Sequence, residues 1–156
     1  MVVRTELAGD LPVVTGDRVQ LQQVLINLLR NASEAMNAVN DRPREIMIRT
    51  ARDEGDRVYL SVRDAGVGFE PQGMDKLFDA FYTTKPDGMG IGLSVSRSII
   101  ESHHGRLWVV PNDGPGVTFA FSIPIARQDN AEGESIEMIG GRERRRMAPT
   151  KADTKV

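Results

Sequence analysis

The sequence predicts an α/β two-layer sandwich, a mixed sheet of about five strands covered on one face by about three helices. Three observations carry that expectation. Period-two and helical stretches follow one another in the order strand, helix, two strands, helix, two strands. Leu21, Val24, Leu25, Leu28, Ala32, Ala35, Met36 and Val39 recur at helical spacing, the clearest periodicity in the chain. Gly88, Gly90 and Gly92 stand at alternate positions and open a second apolar helical run through Leu93, Val95, Ile99 and Ile100.

Val2 to Leu7 alternates as a strand, and the Gly- and Pro-punctuated GDLPVVTG that follows reads as a loop. Asp17 precedes Gln20 as in a capping box, so the first helix starts there and is expected to run to about Asn40, before Pro43. Glu45 to Arg52 and Arg57 to Asp64 form a hairpin with Asp53-Glu54-Gly55-Asp56 as its turn. A Gly-rich loop covers Asp64 to Gly73, and a short helix is expected over Met74 to Phe81. The second long helix is expected from Gly90 to His103, stopped by Gly105. Two strands, Arg106 to Val110 and Val117 to Ile125, close the order around PNDGPG.

The chain of 156 residues suits one domain with a real core, expected over residues 1–126. From Arg127 the periodicity fails, and an acidic stretch, the basic GRERRR and a small, polar end follow. Residues 127–156 are therefore expected to be a disordered tail or linker. A formal net charge of −2 gives no general reason to expect a nucleic-acid or anionic-membrane partner. The absence of cysteine excludes disulfides and thiolate metal sites, and fits a reducing compartment. No apolar run approaches the roughly 20 residues of a membrane span, and the start does not read as a signal peptide. A strand beginning directly after Met1 suggests an excised domain.

Four constellations carry chemistry. Asn27, Asn31 and Glu34 share one side of the first helix and flank its apolar stripe. That row of oxygens suits a hard cation such as Mg²⁺; a polar helix edge bonded to neighbouring loops is the alternative. Asp64 ends a strand, and Gly66 and Gly68 let the chain turn back under a flat ligand. Its carboxylate would accept from an exocyclic amine such as that of adenine; the alternative is an ordinary turn. LFDAFYTTKPDGMGIGLS reads as a lid followed by a helix N-terminus, which suits phosphate. Lys85 precedes the glycines, so this is no Walker A loop, and the third glycine falls one position early for the dinucleotide fingerprint. Lys85 would meet the terminal phosphate or be a solvated loop lysine. Finally, in GPGVTFAF the Thr118 hydroxyl would reach the ligand, or the segment is only a hairpin.

In order and spacing, NLLRNASEA, DAGVGF, LFDAFYTTK, GMGIGL and GPGVTFAF resemble the N, G1, F, G2 and G3 boxes of sensor histidine kinases. These kinases belong to the GHKL superfamily, with the Bergerat nucleotide-binding fold. The resemblance covers residues 2–125, and FYTTKPDGMGIGLSVSRSIIESHHGRLW is most similar to the oxygen- and nitrogen-sensing branch, with PAS-type sensors upstream. It implies that Asn31 ligates Mg²⁺, with Asn27 beside it, and that Asp64 binds the adenine amine above Gly66 and Gly68. Phe78 and Phe81 would anchor the lid hinge, and Thr83, Thr84 and Lys85 would sit near the phosphates. Gly88, Gly90, Ile91, Gly92 and Leu93 would supply lid flexibility and backbone N–H groups. Thr118 would complete the adenine site through water. Many relatives carry a basic residue and then an aromatic one where this chain has Glu34 and Ala35. Glu34 is then a water-mediated partner of Mg²⁺, or structural.

Gyrase-like members of the superfamily place a glutamate general base where this chain has Asn27, whose amide cannot accept a proton near neutral pH. The resemblance therefore implies phosphoryl transfer from Mg-ATP to a histidine, with Asn27 and Lys85 as catalytic residues. The alternatives are a GHKL-type ATPase coupling hydrolysis to dimerisation, or a binding module. The implied partners are ATP or ADP, a histidine-containing dimerisation hairpin that these residues do not include, and a response regulator. The domain is expected to be cytoplasmic, monomeric in isolation and without membrane contact. His103 and His104 lie roughly 15 Å along the second helix and read as helix-end surface residues, not acceptors or metal ligands. GRERRR reads as a solvated tail or a docking segment. Without nucleotide, Thr83 to Gly90 is expected to be mobile.

Overall fold

Two helices lie on one face of a five-stranded sheet, and the sheet's apolar residues alternate toward them. The computed structural model describes residues 1–74, 76–82 and 90–126. Thr83, Thr84, Lys85 and Gly88, the expected lid mobility and the expected tail at 127–156 lie outside the described residues. The elements are β1 (Val2–Leu7), α1 (Arg18–Ala35), β2 (Glu45–Asp53), β3 (Arg57–Asp64), α2 (Pro71–Met74), α3 (Gly92–Ser102), β4 (Arg106–Pro111) and β5 (Val117–Pro124). The sheet order is β1-β2-β3-β5-β4. β1 pairs parallel with β2 and the other neighbours are antiparallel, so the sheet is mixed as expected. Among the described residues, no helix is long and apolar enough to cross a membrane.

The core follows from the two periodicities. On α1, Val24, Leu28 and Ala32 recur every four residues and are buried. Ile100 joins them from α3, and Ile46, Val62, Val117, Phe119, Phe121 and Ile123 meet them from the sheet. Burying each large side chain contributes about 1.5–3 kcal/mol, so these residues dominate the cohesion of the two layers. Register places Ile46 opposite Asp64 and Ile48 opposite Val62. Directly opposed residues share a face, so Asp64 points from the end of β3 into the helix-covered side.

Three boundaries differ from expectation. α1 ends at Ala35, well before Asn40. The Ala35 carbonyl accepts from Val67 N–H at 3.3 Å, while Val39 N–H turns back to the Met36 carbonyl. The loop after β3 thus takes the bond that would have continued the helix. Met36 and Val39 stay buried, so the apolar stripe outlasts the helix. The short helix is α2, over Pro71–Met74, with Pro71 at its start. Beyond it, Leu77, Asp79 and Tyr82 donate to carbonyls three residues back, in tight turns. α3 begins at Gly92 because Gly90 is left-handed (φ +67°) and its carbonyl accepts from Phe81 N–H.

His103 is no mere surface residue. A carbonyl cannot donate, so His103 Nδ1–H donates to the Ile99 carbonyl at 2.7 Å, and Nε2 accepts from Asp17 N–H at 2.9 Å. The neutral imidazole ties the end of α3 to the cap of α1. His104 instead holds the left-handed position (φ +56°) at which Gly105 N–H returns to the Ile100 carbonyl. Urea unfolding is expected to show His103→Ala destabilising the domain by about 1–2 kcal/mol. His104→Gly should instead stabilise it by up to about 1 kcal/mol by relieving the left-handed penalty.

Candidate functional site

A cavity of about 570 Å³ opens between α1, the loop after β3 and the start of α3. It gathers Asn27, Asn31, Glu34, Asp64, Gly68, Gly90, Ile91, Gly92 and Leu93 along its lining. Ala35, Val67, Phe69, Leu77 and Phe119 supply apolar wall. A second cavity, about 550 Å³, lies by Arg57, His104, Arg106 and Trp108 and holds none of the motif residues.

Asp64 is the polar group at the bottom. It is only 3% exposed, and its Oδ1 accepts from Gly66 N–H at 2.8 Å. Burial pushes its carboxyl above the ordinary value of 3.8, while the N–H groups of Gly66 and Val117 oppose the shift. Two glycines permit this geometry. A side chain on Gly66 would come within 2.8 Å of Ala35 Cβ, the Ala35 carbonyl and Asp64 Oδ1. One on Gly116 would overlap the Asp64 carbonyl oxygen, and Gly116 is also left-handed at φ +86°. Gly66 therefore works from beneath, while Gly68 lines the cavity itself.

Thr118 is not where the hairpin pattern suggested. It lies opposite Arg63 and Val110, on the face away from the helices, and is absent from the lining. Its hydroxyl donates to Asn112 Oδ1 at 2.7 Å, and Asn112 Nδ2 donates to the Asp64 and Pro115 carbonyls, each at 2.9 Å. Strand alternation puts Val117, not Thr118, on the helix-covered side, within the core.

On α1, Asn27 Nδ2 donates to the Gly92 carbonyl at 3.3 Å and to Ser96 Oγ at 3.2 Å. Its amide joins the two helices. Glu34 Oε1 accepts from Arg30 Nε at 2.7 Å, and Arg30 also lines the cavity. Asn31 and Glu34 offer amide and carboxylate oxygens about one turn apart. Among the described residues no group of three or more His, Cys, Asp or Glu could hold a metal. Such a sparse, hard-oxygen set fits Mg²⁺, which keeps waters and takes phosphate oxygens.

The start of α3 has no side-chain cap and no acid in its first turn. The orphan N–H groups of that turn are a place for an anion, and Ile91, Gly92 and Leu93 border the cavity there. Phe78 packs behind the wall, edge-on to Phe119 at 6.5 Å with Arg97 over its ring at 5.6 Å. Phe81 is 78% exposed and left-handed (φ +68°), and its N–H donates to the Gly90 carbonyl at 2.9 Å. Sequence reasoning missed Arg30, Arg42, Tyr82, Asn112 and Val117. Alternation along β5 could have found Val117, and the turn sequence could have flagged Asn112.

Residues 16–127 match the family described as histidine kinase-, DNA gyrase B-, and HSP90-like ATPase. The sensor protein FixL of Bradyrhizobium diazoefficiens is 44% identical over 127 residues, 81% of this chain but only 25% of that protein. The nucleotide-free catalytic domain of histidine kinase ThkA superposes with a TM-score of 0.68 at 37% identity, covering 79% of this chain and 78% of that one. ThkA in complex with the response regulator protein TrrA gives 0.65 at 33%, covering 80% and 34%. Full-length ShkA in complex with AMPPNP gives 0.68 at 28%, covering 80% and 26%.

The Asp64 carboxyl binds its proton more tightly folded than unfolded. Its contribution to stability is therefore full below 3.8 and is lost as pH rises through the raised folded value. Asp64→Asn removes that loss. The variant's thermal midpoint at pH 7 should exceed the parent's, with the gain shrinking on acidification.

Proposed function

The chain belongs to the family of histidine kinase-, DNA gyrase B- and HSP90-like ATPases, and we propose that it binds Mg-ATP and donates the γ-phosphate to a histidine on a separate dimerisation hairpin. In this reading it is the ATP-binding catalytic domain of a two-component sensor histidine kinase. One observation carries it: a buried carboxyl acceptor, hard oxygen donors and an uncapped helix start line a single cavity.

Asp64 accepts from the adenine N6 amine, and Val67, Phe69 and Phe119 border the apolar slot for the base. Asn31, with Glu34 through water, holds Mg²⁺, which would neutralise phosphate charge when bound. The N–H groups at Gly92 and Leu93 face the phosphates from the helix end. Lys85 would meet the terminal phosphate as a point charge, and Thr83, Thr84 and Gly88 would contribute near the phosphates. Thr118 acts on Asp64 only through Asn112.

Transfer is favoured over hydrolysis because Asn27 is a neutral amide occupied in bridging α1 to Gly92 and Ser96. With an amide at Asn27, rate would come from positioning the γ-phosphorus for the incoming imidazole nitrogen as the ADP oxygen leaves. The partners are the hairpin and, downstream, a response regulator such as the one seen with ThkA. The domain works in the cytoplasm, and alone it is a monomer.

Calorimetry in Mg²⁺ should show ADP binding, and its absence would sink the reading. Asn31→Ala should abolish the Mg²⁺ dependence of ADP affinity while leaving the Mg²⁺-free affinity intact. Labelled ATP plus a cognate histidine hairpin should label the hairpin; steady phosphate release without any hairpin would instead favour an ATPase coupled to dimerisation.

A further inference from the structure

We propose that Arg42 is a positioning residue for adenine recognition, its guanidinium fixing the two peptide planes that orient Asp64. The inference rests on the reading of Asp64 as the adenine acceptor. Arg42 lies in the loop between α1 and β2, far in sequence from the segment it grips. Its Nε donates to the Ala65 carbonyl at 3.0 Å and its Nη2 to the Gly66 carbonyl at 2.9 Å. Nη1 bonds to Asp41.

A trans peptide is planar, so its C=O and N–H point in opposite directions. The plane joining Ala65 to Gly66 is held by Arg42 at its oxygen and by Asp64 Oδ1 at its N–H. The plane joining Gly66 to Val67 is held by Arg42 at its oxygen and by the Ala35 carbonyl at its N–H. Each plane is pinned at both ends, and the planar fork of one guanidinium spans both oxygens. Removing Arg42 leaves both planes pinned at one end only. The segment has a glycine at its centre, so the plane from Ala65 to Gly66 is then free to rotate and take the Gly66 N–H away from Asp64, and the next plane no longer restrains it. The carboxylate loses the bond that aims it at the base.

Arg42 is itself partly open to solvent, with 27% of its side chain exposed. Water can replace its bonds to the carbonyls but cannot fix their direction. Its effect should therefore fall on recognition of the base more than on folding. The test measures affinities of the Mg²⁺ complexes of ADP and of inosine diphosphate, which has a keto oxygen where ADP has the amine. Arg42→Ala should weaken ADP by about tenfold and leave inosine diphosphate within about twofold. Arg42→Lys should fall between, since an ammonium cannot span both carbonyls. The proposal is overturned if Arg42→Ala weakens both ligands equally, or weakens neither while Asp64→Asn abolishes discrimination. If Asp64→Asn also keeps full discrimination, the assignment of Asp64 fails first and this inference falls with it.

Discussion

The fold is arranged around a carboxyl group that is almost entirely buried yet borders the cavity. Asp64 ends β3 on the inner face of the sheet, where burying a carboxyl group is costly. The carboxylate is tolerable there because backbone N–H groups from Gly66 and Val117 point at it. Those donors come from two different segments, one folding back from β3 and one opening β5. Both approaches demand glycine, at Gly66 beside Ala35 and at Gly116 against the Asp64 backbone. In the proposed reading, a ligand that brings a donor to this buried acceptor would offset the remaining cost.

The same loop sets the length of the helix that faces it. Val67 takes the carbonyl of Ala35, and α1 stops there. The opposite wall is held by side chains at both ends of the α1–α3 pair. Asn27 reaches Gly92 and Ser96 near the cavity, and His103 reaches the cap of α1 at the far end. Two helices bonded at both ends keep a constant separation, so the row from Asn27 to Glu34 faces a helix start at a set distance. One backbone bond, from Phe81 N–H to the Gly90 carbonyl, ties the end of the turns after α2 to the approach to α3.

Much of this was legible in the amino-acid order. The α1 stripe, the hairpin, the strand pair and the alternation of each strand were readable because a helix or strand that buries one face repeats that demand every few residues. The oxygens of the site were readable too, as asparagine and glutamate along one side of a helix and aspartate just before two glycines. The lining of one cavity by Asn31, Asp64 and Gly92 followed from their order along a resembled family.

What the order could not supply was partnership across the fold. Thr118 reads as a ligand residue next to glycines, yet strand alternation in the assembled sheet sends its hydroxyl to Asn112. His103 reads as a helix-end surface histidine, yet a distant backbone N–H lends it a structural bond. Arg42 carries no local signal at all, because its work is done on carbonyls more than twenty residues away. Sequence alone determined which faces are apolar and which residue types collect at the site, since those are demands each segment makes on itself. Tertiary structure alone decided where α1 ends, which atoms hold Asp64 and which peptide planes are pinned, because each bond has a partner that only the folded chain brings within reach.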